Sequence, residues 1–209
     1  MKDVTYVNYR HDGAADAPVV LALHGTGGDE HQFTALVREI LPNAGIVAPR
    51  GDVSEFGANR FFRRTGEGVY DMGDLAFRTD KMVEFVGSIG EAYPGRPVYS
   101  IGYSNGANIL AAMLFKRPML FDRAALLHPL IPWTPDPQPA LDALPVFISA
   151  GRQDPICPLP RSLALIDWFS SQGANVTSRI AAGGHDIRQD ELAALAQFLR
   201  TPARQEARP

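Results

Sequence analysis

The stretch Gly102-Tyr103-Ser104-Asn105-Gly106 sets one serine between two glycines at the end of an apolar run, PVYSI. Glycines two residues to either side of a serine let the chain turn more sharply than a Cβ would permit. The G-x-S-x-G pattern therefore fits a nucleophile elbow between a strand and a helix. There Ser104 would hold its hydroxyl above a sheet, beside a helix N-terminus whose dipole favours developing negative charge. The alternative is a glycine-rich turn whose serine only caps the helix.

A serine hydroxyl attacks poorly unless a base takes its proton. Of the five histidines, His185 in AAGGHDI is best placed, after the last predicted strand and before the last predicted helix. His11 and His31 fall at an edge strand and a helix start, where solvent surrounds them. His128, ending RAALLH, would pack or hold a loop at the cleft. The base needs an acid to fix its tautomer and stabilise the imidazolium. Asp154 in SAGRQDPICP lies just beyond the strand VFISA, with Pro155 stiffening the turn; Asp186, adjacent to His185, would point away from its neighbour's ring. Alone, Asp154 would be a turn-capping aspartate. Together Ser104, Asp154 and His185 run in the order Ser…Asp…His, each after a separate predicted strand, and that order is the pattern of an acyl-transfer triad. Thr26 in LHGTGG and Asn105 would supply backbone N–H groups to the oxyanion, with His24 and Gly25 shaping the first turn.

Gly25 and Gly27 also begin a dinucleotide-type G-x-G, but Glu30 stands where the next glycine is required and would repel a phosphate. No acidic residue ends GIVAP to hold a ribose, so nucleotide binding is rejected. Cys157 reads as a packed thiol: no C-x-x-C or cysteine–histidine pattern supports redox or metal chemistry. No metal or organic cofactor is expected.

The elements that must position these residues alternate. VVLALHG, GIVAP, PVYSIGYS, RAALLHP and PVFISAG are nearly all apolar, as buried strands are, and NVTSRIA is a weaker strand. VTYVNYR alternates and suits an edge. Between them, DEHQFTALVREIL, TDKMVEFVGSIGEAY with Thr79 as N-cap, NGANILAAMLFKRP, RSLALIDWFSSQG and IRQDELAALAQFLR have helical spacing. Strands alternating with helices predict an α/β fold, a mostly parallel central sheet with helices on both faces. Sites in such sheets form beyond the carboxyl ends of the strands, where Ser104, Asp154 and His185 all fall.

The 209 residues are read as one domain, 1–201, with a flexible tail at 202–209. A formal net charge of −3 leaves no electrostatic footprint for nucleic acid. The opening lacks an apolar signal core and no run is long enough to span a bilayer, so a cytoplasmic protein without stable membrane insertion is expected. One cysteine excludes an intrachain disulfide. The chain leaves monomer or homodimer open.

The segments LHGTGGDEHQF, GYSNGAN, GRQDPICP and GGHDI together resemble the α/β-hydrolases of the small carboxylesterase/phospholipase type, related to the acyl-protein thioesterases, over nearly the whole chain. RFFRRTGEGVYDMGDL, residues 60–75, further resembles a bacterial branch of cytosolic carboxylesterases. The resemblance implies an α/β-hydrolase fold, Ser104, Asp154 and His185 as triad, and Thr26 and Asn105 as oxyanion donors. One departure is Asn105, where the thioesterases typically carry glutamine, which argues against protein depalmitoylation. Phe61 and Phe62, in the long segment after GIVAP, would form an acyl or aryl wall or pack the loop onto the core. Leu130, Ile131 and Trp133 would form the opposite wall. Arg63 and Arg64 would be solvated or meet an anionic group. The segment between RAALLHP and PVFISA is too short for a lid domain. The expected activity is hydrolysis of small or short-chain carboxylic esters, aryl esters among them. Thioesters, lysophospholipids and lactones are the alternatives on the same triad; a non-catalytic ligand-binding protein is the alternative that an intact triad opposes.

Overall fold

Five consecutive apolar residues form β2 (Val19–Leu23), buried at every position, as a strand covered on both faces must be. The computed structural model describes residues 5–201; the expected tail at 202–209 lies outside the described residues. Similar apolar runs give β3 (Gly45–Pro49), β8 (Val98–Tyr103), β9 (Arg123–Leu127) and β10 (Pro145–Gly151). With β1 (Asn8–His11) and β11 (Asn175–Ala181) they form a seven-stranded sheet in the order β1-β3-β2-β8-β9-β10-β11. Only the β1–β3 pairing is antiparallel, which leaves β1 as the expected half-wet edge.

Alternate residues of β2 feed two separate cores. Val19, Leu21 and Leu23 pack with α2 (Met72–Ala92), α3 (Asn105–Lys116) and α4 (Leu159–Ser171) on one face. Val20 and Ala22 pack with α1 (Thr34–Ile40) and α5 (Gln189–Arg200) on the other. This is the predicted sheet with helices on both faces.

Two expectations need correction. α2 begins at Met72, capped by Asp71, whose carboxylate accepts the Asp74 N–H at 3.0 Å. Thr79 is therefore not a cap: it lies buried within the helix and donates its hydroxyl to Leu75 O. The first turns present Met72 and Phe77 to solvent, so apolar spacing there does not mark the buried face. The segment after β3 is also more structured than the sequence suggests. It folds as two hairpins, β4 (Val53–Glu55) with β5 (Ala58–Arg60), and β6 (Arg64–Gly66) with β7 (Val69–Tyr70). Strands of two or three residues are too short to show a period. Between β9 and β10 the only helical piece is a single 3₁₀ turn, Pro139–Leu141, so no lid domain is inserted there. Among the described residues no helix is long and apolar enough to cross a membrane.

Candidate active site

Ser104 is the single residue between the end of β8 and the start of α3. It sits at φ 51° and ψ −115°, a conformation that costs an L-residue about 1–3 kcal/mol. The surroundings over-determine it. Its N–H donates to Leu127 O at 2.9 Å and its carbonyl accepts the Asn108 N–H at 2.9 Å. Both flanking glycines are needed for close approach: a Cβ at Gly106 would lie 2.4 Å from Leu23 O, and one at Gly102 would lie 2.5 Å from Gly106 O.

Asp154 and His185 follow β10 and β11, neighbouring parallel strands whose last partners are Gly151 and Ala181. The two loops touch so closely that a Cβ on Gly151 would fall 1.9 Å from Gly184 O. His185 Nδ1 lies 2.8 Å from Asp154 Oδ2, and His185 Nε2 lies 2.9 Å from Ser104 Oγ. Three residues from three strand ends are thus in hydrogen-bond contact in the order the sequence predicts. Asp154 Oδ1 accepts the N–H groups of Ile156 and Cys157, each at 2.8 Å. Burial works to raise the Asp154 pKa, but the bonds from Cys157 N–H, His128 and His185 hold it below the usual carboxylate range. The carboxylate is therefore anionic and able to fix the His185 tautomer. Asp186 is exposed and makes no such contact.

Thr26 and Asn105 line one cleft with Ser104 and His185. Asn105 opens α3, so its N–H has no intrahelical acceptor. Its side-chain Oδ1 accepts the buried Phe61 N–H at 2.7 Å, tying the segment after β5 to the elbow. Behind Thr26, Gly51 N–H donates to His24 Nε2 at 2.8 Å. His24 Nδ1 must then carry the proton that meets Gly25 O at 2.7 Å. Burial lowers the His24 pKa, in keeping with this neutral tautomer. The loop is clamped further on by Glu30, which takes both Nε and Nη2 of Arg50, at 2.5 and 2.6 Å.

The cleft has a volume of about 340 Å³. Its apolar side comes from Tyr70, Leu130 and Ile156, and its polar side from Arg60, Arg64 and Glu67. Four of the five expected wall residues are absent from it; only Leu130 lines it. Phe61 and Phe62 are 1% and 0% exposed and belong to the core, where Phe61 packs on His24 and Phe62 on Tyr70. Trp133 packs half-buried against Tyr70 and Phe115. Ile131 is likewise buried in the core. Arg63 is exposed and paired with Asp71 and Asp74, whereas Arg64 binds Glu55 at 3.0 Å. Cys157 is buried, its thiol directed at His128 O, which fits a packed thiol.

Three contributors went unread in the sequence, and a fourth, His128, was read only as packing or holding a loop at the cleft. Tyr103 donates its hydroxyl to His185 O at 2.9 Å, steadying His185 from behind. Arg60, nearly buried, donates to Thr26 Oγ1 at 2.8 Å. Asn108 joins Tyr70 and Leu130 through its two amide atoms. His128 Nδ1 shares Asp154 Oδ2 with His185, at 2.9 Å. Asn108 stands inside GYSNGAN, four residues after the serine, so its helical spacing was the one available signal. His128, Asp154 and His185 are also the residues whose ligand atoms, within 4.8 Å of one another, could be considered for a metal ion. A cation there would have to displace the protons that bind Asp154 Oδ2 to both Nδ1 atoms.

No protein-family model matches the chain. MhqD of Bacillus subtilis (strain 168), named as a hydrolase, is 42% identical over 176 residues, which is 83% of this chain and 88% of MhqD. Among solved structures, Atu2452 of Agrobacterium tumefaciens, a protein of unknown function, is 48% identical with a TM-score of 0.88, covering 95% of this chain and 98% of its own. A Bacillus cereus carboxylesterase is 35% identical with a TM-score of 0.86, over 94% of each chain.

Proposed function

The chain belongs to the α/β-hydrolase family of ester hydrolases, and from that membership we propose that it is a serine carboxylesterase acting on small or short-chain esters. The observation that carries the reading is the unbroken relay Ser104 Oγ–His185 Nε2, His185 Nδ1–Asp154 Oδ2, at 2.9 and 2.8 Å. The base is within reach of the hydroxyl proton, and an ionised carboxylate steadies the imidazolium that forms.

His185 takes the Ser104 proton as Oγ attacks the ester carbonyl. The N–H groups of Thr26 and Asn105 hold the oxyanion, and one such donor is worth about 3 kcal/mol of transition-state stabilisation. The tetrahedral intermediate collapses, the C–O bond to the alcohol breaks, and His185 returns its proton to the leaving oxygen. Water, deprotonated by His185, then attacks the acyl-enzyme; Ser104 leaves with the proton and the acid is released. With the ester and that one water, both halves balance on the chain's own residues.

The test is hydrolysis of p-nitrophenyl acetate, butyrate and octanoate by the wild type and by Ser104→Ala, with fluorophosphonate labelling of both. Turnover should fall about a million-fold in the variant, as it does when a triad serine is removed. The label should attach to wild type alone. Activity retained without Ser104 would remove it as the nucleophile.

A further inference from the structure

Among the buried titratable groups, His128 has no task in the reaction just described. It follows β9 in a left-handed conformation, φ 49°, and is fully buried. Its N–H donates to Ser149 O at 2.9 Å and its carbonyl accepts the Cys157 thiol at 3.2 Å, so its backbone is held from both sides. That ring lies between two carboxylates. Nδ1 is 2.9 Å from Asp154 Oδ2 and Nε2 is 2.8 Å from Glu191 Oε1, and all three side chains are 0% exposed.

A neutral imidazole has one N–H and one lone pair. It can donate to one of these carboxylates only; against the other it would set lone pair on lone pair. The imidazolium donates to both, and donation between charged partners makes the stronger bond. The remaining oxygens are already satisfied: Glu191 Oε2 accepts the Arg188 N–H at 2.9 Å, and Asp154 Oδ1 accepts two backbone N–H groups. Burial opposes the His128 charge, yet the hydrogen bonds it donates to Glu191 and Asp154 raise its pKa overall. Burial likewise pushes Glu191 up, but the His128 bond leads the contacts that hold it below the usual range. The cluster carries minus, plus and minus, the net charge of one aspartate.

We propose that His128 is a permanent imidazolium and a positioning residue for the catalytic relay. Braced against Glu191, it holds Asp154 Oδ2 where His185 Nδ1–H meets it. Its own charge lies beside the His185 ring, the two ring centroids 5.3 Å apart. The other groups facing this pair are Tyr103, Cys157, Asp186 beside His185, and Arg188 at the start of α5. The Tyr103 phenol, pushed up to about 12 by burial, and the Cys157 thiol, also raised by burial, stay uncharged across the working range. The effect on His185 rests on the triad reading above; the charge on His128 does not.

Two measurements test this. The first is ¹⁵N NMR of the imidazoles in the full chain, wild type and Ser104→Ala. His128 should show both ring nitrogens protonated from pH 5 to pH 9 in each protein. A neutral tautomer of His128 at pH 7 would overturn the proposal. The second is the pH profile of kcat/KM for the His128→Gln/Glu191→Gln double variant, in which amides bond to each other and to Asp154 while Asp154 keeps the single negative charge. That exchange removes a cation next to His185 and an anion farther off. The acid limb should therefore move up by about one pH unit. Looser placement of Asp154 should also lower kcat about tenfold. A folded double variant with the wild-type limb and kcat would reduce His128 to a strut between β9 and α5, and the positioning role would be lost. Should the variant not fold, the NMR result decides. Turnover surviving in Ser104→Ala would sink the triad while leaving the imidazolium measurement to stand on its own.

Discussion

At the scale of single residues, the site depends on polar atoms whose partners come from far along the chain. Asn105 is the plainest case. Its backbone is proposed to serve the oxyanion, while its side chain accepts the Phe61 N–H, 44 residues away in sequence. Asn105→Ala keeps the backbone donor but leaves the buried Phe61 N–H without an acceptor, which costs about 1–3 kcal/mol. The urea midpoint should fall accordingly, and kcat/KM should fall as well, because the segment after β5 is no longer pinned beside the elbow. A midpoint equal to wild type would mean that another acceptor takes the Phe61 N–H. Ser104, Asp154 and His185 were legible because each is a reactive type placed just past a predicted strand. Phe61 and Phe62 were not, since an aromatic residue type does not say which side of a wall it faces. His128 was only partly legible: its place beside the cleft could be read, but Glu191 joins it only once α5 folds back across the sheet.

At the scale of elements, the inner parallel strands could be read because a strand buried on both faces is apolar throughout, whereas β11, at the sheet's other edge and largely exposed, gave a weaker signal; the helices could be read because their spacing changes from that of a strand. The two hairpins after β3 could not be read: the first turns through Phe56 and Gly57 at φ 51° and 88°, the second through Gly68 at φ 67°, and their strands are too short to carry a pattern. The Thr79 cap was misplaced because Asp71, the true cap, precedes turns in which Met72 and Phe77 face outward. Loops join the elements with charge as well as packing. Arg50, immediately after β3, grips Glu30 in the loop that carries Thr26, and this bond lowers the Glu30 pKa from 4.5 to about 2. A carboxylate depressed in the folded state adds stability above its unfolded pKa, and that stability is lost as pH falls through the folded one. Glu30→Gln should therefore lower Tm relative to wild type at pH 7, and the gap should close between about pH 4.5 and about pH 2. Thermal unfolding of both proteins across that window checks it; a gap constant with pH would assign the loss to packing rather than charge.

At the scale of the whole molecule, the sheet delivers three strand ends to one edge, and what covers that edge decides which esters enter. The two hairpins and the stretch after β9 flank the cleft, and among the described residues no inserted helix lies between β9 and β10 to roof it. The apolar surface available to an acyl chain is the short run of Tyr70, Leu130 and Ile156 within about 340 Å³. Each methylene buried there gains about 0.8 kcal/mol. From acetate to butyrate, two methylenes should then raise kcat/KM of the p-nitrophenyl ester roughly fifteenfold, since about 1.4 kcal/mol is tenfold in rate. Beyond that, added carbons pass the exposed edge of Ile156, which is 39% open to solvent, and stay in water. The series should flatten by octanoate. Leu130→Ala removes part of the wall and should reduce the acetate-to-butyrate gain while sparing acetate itself. A gain that continues undiminished to octanoate would require the chain to run along a longer apolar path than Tyr70, Leu130 and Ile156 provide. A series flat from acetate onward would place the acyl group outside the cleft and the alcohol within it, and aryl leaving groups would then be the ones this edge of the sheet selects.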